Sequence, residues 1–313
     1  MFNRYWRVYP WYFQLVQFII LMLVVGSFFL LAVGPVGLQV MGVTAAELGG
    51  LSEDSSRRVV NGALMYQFFT ATGVFLLPAL LFGYFTHPRP AKYLGLVRPG
   101  NGMHWWLAPA VVVSATPLFL FVAEGMSHID FGAGVRAQQE MNDRMMKGLL
   151  NIGNVWQLGA TLVVLAVLPG FSEELFFRGV LMRFAAKRSR GVVFPLLVSA
   201  VLFAMMHSNP YGMISIFLAG VLVGGIYYLT GSLWCSILAH GCYNGLQVLV
   251  TYLGKDGSTF KAIEESNKVP LTWVVVGTAC FVGLFYLLWK NRTPLAKDWS
   301  SDYTAEEQKE ESK

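Results

Sequence analysis

Four polar side chains in an otherwise apolar chain have the types and the spacing to do chemistry: Glu173, His207, His240 and Asn244. An ionisable group inside a hydrophobic run is costly unless it is paired or hydrated, so each marks a candidate site. The first lies in Pro169-Gly170-Phe171-Ser172-Glu173-Glu174-Leu175-Phe176-Phe177-Arg178-Gly179. Glu174 and Arg178 are four apart, share a helical face and can form an ion pair, which by itself serves packing as well as chemistry. Glu173 points about 100° away and is free to act on another group. Pro169 and Gly170 are expected to kink or break this helix and admit water beside the acids.

His207 ends the run Phe203-Ala204-Met205-Met206-His207. A lone histidine on an apolar face is more often a satisfied core residue, and its depth is what singles this one out. The basic turn before it centres on Arg190, with Glu173 17 residues ahead of that turn and His207 17 residues behind it. Equal arms of an antiparallel helical hairpin put both side chains at one depth. His240 and Asn244 are also four apart and share a face, with Gln247 continuing the stripe and Gly241 and Gly245 permitting close helix approach. Counted from Gly231-Ser232, His240 lies about 14 Å along its helix, and Glu173 lies about 15 Å from Arg183. Three helices can therefore deliver an acid, two imidazoles and an amide to one layer. Gln67, Thr70 and Thr72 are expected to be satisfied by interhelical or backbone bonds and are assigned no chemistry.

A Glu–His pair can take a proton from water and hand it to a leaving amine. A second histidine and an asparagine can donate hydrogen bonds to the oxyanion of a tetrahedral intermediate. That set suffices for peptide hydrolysis without a covalent step. Glu173, His207 and His240 would equally permit zinc, although the short-range HExxH signature is absent and the ligands would come from three separate helices. No serine sits in a GxSxG context.

The elements that must position these groups are membrane spans. The chain has 313 residues, is 55% hydrophobic and only 13% charged, with a mean hydropathy of +0.52. Soluble domains carry about 25% charged residues. The net charge of +5 comes largely from cations flanking apolar segments, so it signals membrane orientation and no nucleic-acid partner. Apolar windows predict an all-α polytopic bundle of about eight spans near 11–34, 62–86, 104–124, 155–184, 192–208, 211–229, 232–253 and 270–289. The fourth is long for one crossing and should tilt or protrude, and the fifth is short. The 11–34 run is too long and aromatic for a cleaved signal peptide. Residues 136–150 form an amphipathic connector expected to lie along the interface. Cys235, Cys242 and Cys280 read as small buried apolar residues.

Cations cluster at Arg4 and Arg7, at Arg89, Lys92 and Arg98, at Arg183 to Arg190, and at Lys290, Arg292 and Lys297. The alternate loops mix cations with acids, as in Glu53-Asp54 with Arg57-Arg58, or Lys255-Asp256 with Glu264-Glu265. This positive-inside pattern places both termini in the cytoplasm. The organisation expected is N-terminal helices and connector over 1–150, a catalytic helical core over 151–255, a last span within 256–292, and a polar tail over 293–313 that ends AEEQKEESK and should be disordered.

The sequence Glu173 to Arg178 (EELFFR) resembles the EExxxR motif of the CAAX-prenyl-protease and bacteriocin-processing (CPBP) membrane proteins. Phe203 to His207 resembles its FxxxH motif and His240 to Asn244 its HxxxN motif, in the same order and at similar spacing, over about Trp156 to Tyr252. The resemblance implies a helical bundle enclosing an intramembrane catalytic cavity that opens toward the cytosol. It implies Glu173 and His207 acting on water, His240 and Asn244 stabilising the oxyanion, Glu174 and Arg178 in support, and a membrane protein or lipidated peptide as substrate. It leaves metal use open. A bacterial inner membrane is the expected setting. Two other readings stand beside this one. A non-catalytic immunity or binding protein on the same fold would be marked by a lost Glu or His, and none is lost. A proton-coupled transporter would be marked by paired halves, but the polar residues cluster in the second half.

Overall fold

The computed structural model describes residues 5–189, 191–254 and 268–303. Arg190, the loop acids after Lys255 and the AEEQKEESK tail lie outside the described residues. Within those described, the chain is helical and contains no strand. The longer helices are α1 (Trp11–Val40), α2 (Arg57–Thr86), α3 (His104–Ser127), α4 (Ala133–Leu149), α5 (Val155–Ala186), α6 (Val193–Met206), α7 (Met213–Thr230), α8 (Leu233–Gly254) and α9 (Leu271–Lys290). Six of them (α1, α2, α3, α5, α7 and α9) are long and apolar enough to cross a membrane. α6 is apolar but 14 residues long, and α8 is long enough but carries His240, Asn244 and Gln247. α4 is the expected amphipathic segment.

Proline shapes three of these helices in the same way. α1, α2 and α5 each contain a widened π segment, at Phe29–Val33, Thr72–Leu76 and Val163–Val167. Each segment ends two residues before a proline: Pro35, Pro78 and Pro169. A proline ring clashes with the carbonyl four residues earlier, and those carbonyls belong to Leu31, Val74 and Leu165, the middle residue of each segment. Widening the turn moves that carbonyl aside. The expected break at Pro169-Gly170 therefore does not occur, and α5 runs on for 32 residues. For the same reason α1 continues past Gly34-Pro35 to Val40. The device is not obligatory, since Pro109 and Pro117 sit inside α3 without it.

Loops gather at two ends of the bundle. At one, Arg58 pairs with Glu47, Asn142 donates to the Ser208 carbonyl, and Phe131 meets Tyr211 edge-on. At the other, basic end, the Ser232 hydroxyl donates to the Val97 carbonyl and Lys187 pairs with Asp302 at 2.5 Å. Between the ends, one apolar cluster holds Phe18, Phe82, Phe176, Phe177, Phe203 and Tyr227, so the phenylalanines near the acids serve packing. A second joins α3, α7 and α8 through Val111, Val112, Ala219 and Ala239. α9 packs on α3 at the periphery, and only 11% of its apolar window is buried. This corrects one expectation: Cys235 is buried, but Cys242 is only partly so and Cys280, on α9, is exposed. Thr70 bonds the Tyr66 carbonyl as expected, while the Thr72 hydroxyl is buried without a hydrogen-bond partner among the described residues.

Candidate active site

α5 supplies Glu173, Glu174 and Arg178, His207 caps the end of α6, and α8 carries His240 and Asn244. What lets α5 and α8 come together is the absence of a side chain on Gly170. A methyl group on Gly170 would lie 2.9 Å from the Gly241 nitrogen and 3.0 Å from its Cα, closer than packed atoms approach. Backbone meets backbone there, beside His240 on one helix and one turn before Glu174 on the other.

The two neighbouring acids turn to different partners. Glu174 is fully buried, and its Oε1 accepts from Arg178 Nη1 at 2.6 Å and faces His240 Nδ1 at 2.9 Å. Arg178 is equally buried; its Nη2 donates to the Gly220 carbonyl at 2.8 Å and its guanidinium lies 4.7 Å over the Phe203 ring. Beside it on α7, Gly220 and Gly224 let α6 pack close: a Cβ on Gly224 would lie 2.5 Å from Leu196, and one on Gly220 3.2 Å from Phe203. Glu173 keeps 14% of its side chain exposed and faces His207, itself 33% exposed, with 4.0 Å between Oε2 and Nε2.

Chemistry assigns the protons. The Phe203 carbonyl can only accept, so His207 Nδ1, 2.8 Å away, carries hydrogen and a neutral His207 has its lone pair on Nε2, toward Glu173. A gap of 4.0 Å is too long for a direct hydrogen bond, but one water about 2.8 Å from each atom would span it. By the same rule, an ionised Glu174 fixes hydrogen on His240 Nδ1 and leaves the lone pair of a neutral ring on Nε2.

Three features here were not read as functional from sequence. Phe203 touches both imidazoles, with ring centroids 4.6 Å from His207 and 5.6 Å from His240. Ser208, directly after His207, has φ +48°, the one positive φ of a non-glycine among the described residues. Such a conformation is a cost the surrounding structure must hold in place. The third is the π segment Leu175–Leu181, which begins directly after Glu174 and contains Arg178. No proline directly follows it, so proline sterics do not account for it, and π turns are frequent at functional sites.

Other sequence candidates stand as follows. Asn244 lies one turn beyond His240 on α8, partly buried. Glu173, His207 and His240 do not form a ligand set: among the described residues no three His, Cys, Asp or Glu side chains are grouped to hold a metal ion. His240 is turned to Glu174, not Glu173. An apolar groove lined by Leu64, Met65, Phe68, Trp156 and Val164 runs between α2 and α5 away from the acids.

Buried Ser172 Oγ, Glu173 Oε2, Glu174 Oε2 and Arg178 Nε have no hydrogen-bond partner among the described residues. Unpaired buried polar atoms are costly and rare, and four of them within seven residues of one helix mark this layer as built for something other than stability. No curated protein and no solved structure matches the chain. Residues 155–246, which hold every one of these site residues, match the family model described as Type II CAAX prenyl endopeptidase Rce1-like, and this part of the chain is similar to that family.

Proposed function

We propose that the chain is an intramembrane endopeptidase of the CAAX-processing type, acting on a membrane-bound or lipidated peptide. The observation that carries this reading is the separation of two acid–imidazole pairs in one layer: Glu173 with His207, partly open, and Glu174 with His240, closed. Glu173 and His207 Nε2 hold one water between them. His207 takes its proton as the oxygen attacks the scissile carbonyl, and Glu173 orients the water and shares the transferred proton on its way to the leaving amine. The peptide bond breaks to a carboxylate and an amine, and no covalent enzyme adduct forms.

His240 and Asn244 face the developing oxyanion. For His240 to donate from Nε2 while Nδ1 donates to Glu174, the ring must carry both protons. The buried group then comprises Arg178⁺, Glu174⁻ and His240⁺, with a net charge of +1 directed at the new negative charge. No step is routed through a metal. Both termini are assigned to the cytoplasm on the loop charges.

The test is cleavage by purified protein of a panel of quenched-fluorescent peptides, lipidated and not, comparing wild type with Glu173→Ala and His240→Ala, each with and without a strong chelator. Cleavage lost in both variants and insensitive to chelator is expected. Cleavage that persists in both variants would remove this site from the reaction, and loss to chelator would replace water activation by Glu173 and His207 with metal chemistry.

A further inference from the structure

After α9 the chain does not leave the bundle. Residues 291–303 turn back across the basic end and touch nearly every element that ends there. His104 Nε2 donates to the Asn291 carbonyl at 2.9 Å. The Thr293 and Leu295 amides donate to the carbonyls of Leu229 and Tyr228 at 2.8 and 2.9 Å, so the segment pairs with the last turn of α7. Gly231, at φ +66°, packs so tightly under it that a Cβ would lie 2.8 Å from the Thr293 oxygen. Trp299 stands edge-on to Tyr227, and Arg183 of α5 donates to the carbonyls of Trp299 and Ser301.

The far end is held by one carboxylate. Asp302, 13% exposed, takes Lys187 Nζ at 2.5 Å, Gln14 Nε2 of α1 at 3.0 Å and the Tyr93 hydroxyl at 3.4 Å. Arg7 donates to its main-chain carbonyl at 3.3 Å and lies over the Tyr303 ring. Burial pushes the Lys187 ammonium below the usual lysine range, and Asp302 pulls it back up. Burial also raises the Tyr93 phenol to about 12, so it stays a donor.

Leu295 and Trp299 pack against the same apolar cluster that holds Phe176, Phe177 and Phe203. The segment is therefore the floor of the cluster whose upper side touches the two histidines. Its apolar anchors are two part-buried side chains, and its last anchor is ionic. Segments with few apolar contacts open at far lower free energy than core helices.

We propose that residues 291–303 are a releasable strap that closes the basic end of the bundle, with Asp302 as its catch, and that strap release opens the approach to the site along α8. The functional meaning rests on the reading of the site given above, but the strap itself can be tested without any cleavage. Cys235 is fully buried, lies five residues before His240 on α8 and starts next to the Thr230–Ser232 turn that the strap covers. In the full chain with Cys242→Ala and Cys280→Ala, Cys235 is the only thiol. Its labelling by a water-soluble maleimide and the hydrogen exchange of residues 293–301 would be measured together, in Asp302→Lys and, from the pocket side, in Lys187→Gln.

Both variants should raise strap exchange and speed Cys235 labelling by about tenfold, while exchange in α3 and α7 stays at wild-type levels. Faster strap exchange with unchanged labelling would make the strap a clasp that gates nothing. Unchanged strap exchange would show that Asp302 is not the catch. Should one variant fail to fold, the other decides, since each removes a different half of the same ion pair. Loss of the protease reading would leave both readouts as they are.

Discussion

Oε1 of Glu174 lies 2.9 Å from His240 Nδ1 while also accepting from Arg178 at 2.6 Å. One oxygen thus ties α5 to α8 and couples the ion pair to the imidazole proposed to face the oxyanion. Removing it strands a buried guanidinium, and losing one partner of a buried pair costs about 3–5 kcal/mol. Glu174→Ala is expected to lose both stability and cleavage. Glu174→Gln keeps an acceptor for His240 and should recover more of the fold than of the activity. Thermal unfolding in detergent alongside peptide cleavage separates the two effects, and a Glu174→Ala protein as stable as wild type would contradict the buried pair.

Glu173 makes the opposite case, one residue away. It is partly exposed and its facing atom is 4.0 Å from His207, so little of the fold depends on it. Glu173→Gln should not destabilise the fold, since its facing oxygen has no hydrogen bond to lose, and should lower kcat by at least about 100-fold, the lower bound of a positioned acid–base group. His207→Gln should behave alike. If the two act on one water, as proposed, the double variant should be little worse than either single one. Additive losses would mean that they serve separate steps.

Gly170 tests positioning without touching a reactive group. An added methyl meets Gly241 backbone at 2.9–3.0 Å, with no flexible side chain to give way. Gly170→Ala should push α5 from α8, stretch the Glu174–His240 contact and lower kcat by about 100-fold, the loss that a 1 Å misplacement produces. Arg178 keeps its partner, since it shares α5 with Glu174. The expected signature is therefore a folded, nearly inactive protein, and wild-type turnover would show that the helix crossing tolerates separation.

How far the sequence foretold this varies residue by residue, for physical reasons. The (i, i+4) pair Glu174–Arg178 was legible because helical spacing sets it locally. That Glu173 and His207 share a depth was legible from equal arm lengths, though the turn residue Arg190 lies outside the described residues. The bond between Glu174 and His240 was not legible, because depth arithmetic fixes height along a helix and not rotation about it. The π segments hide for a related reason: proline announces a disturbed helix, but whether the turn breaks or widens depends on neighbours. The strap was read as tail because Pro294, Lys297, Asp298 and Ser301 look solvated in one dimension, and only the fold supplies Lys187, Gln14 and Tyr93 around Asp302.

Phe203 is where packing and chemistry meet. Its ring touches His207 and His240, lies under the Arg178 guanidinium, and meets Phe177 edge-on at 5.2 Å. It holds the two imidazoles apart, each turned to its own acid, and its backbone carbonyl fixes the His207 tautomer. Phe203→Leu keeps that carbonyl and much of the volume but removes the flat face. The cation–π contact is worth up to about 2 kcal/mol when desolvated, so moderate destabilisation is expected. The more telling effect should be on the histidines: without the ring between them, their orientations spread over more rotamers. kcat should fall while KM for a given peptide stays near wild type, because the ring packs on the two histidines proposed to do the chemistry. A rise in KM with kcat preserved would place Phe203 in the substrate channel and reassign it from positioning to binding.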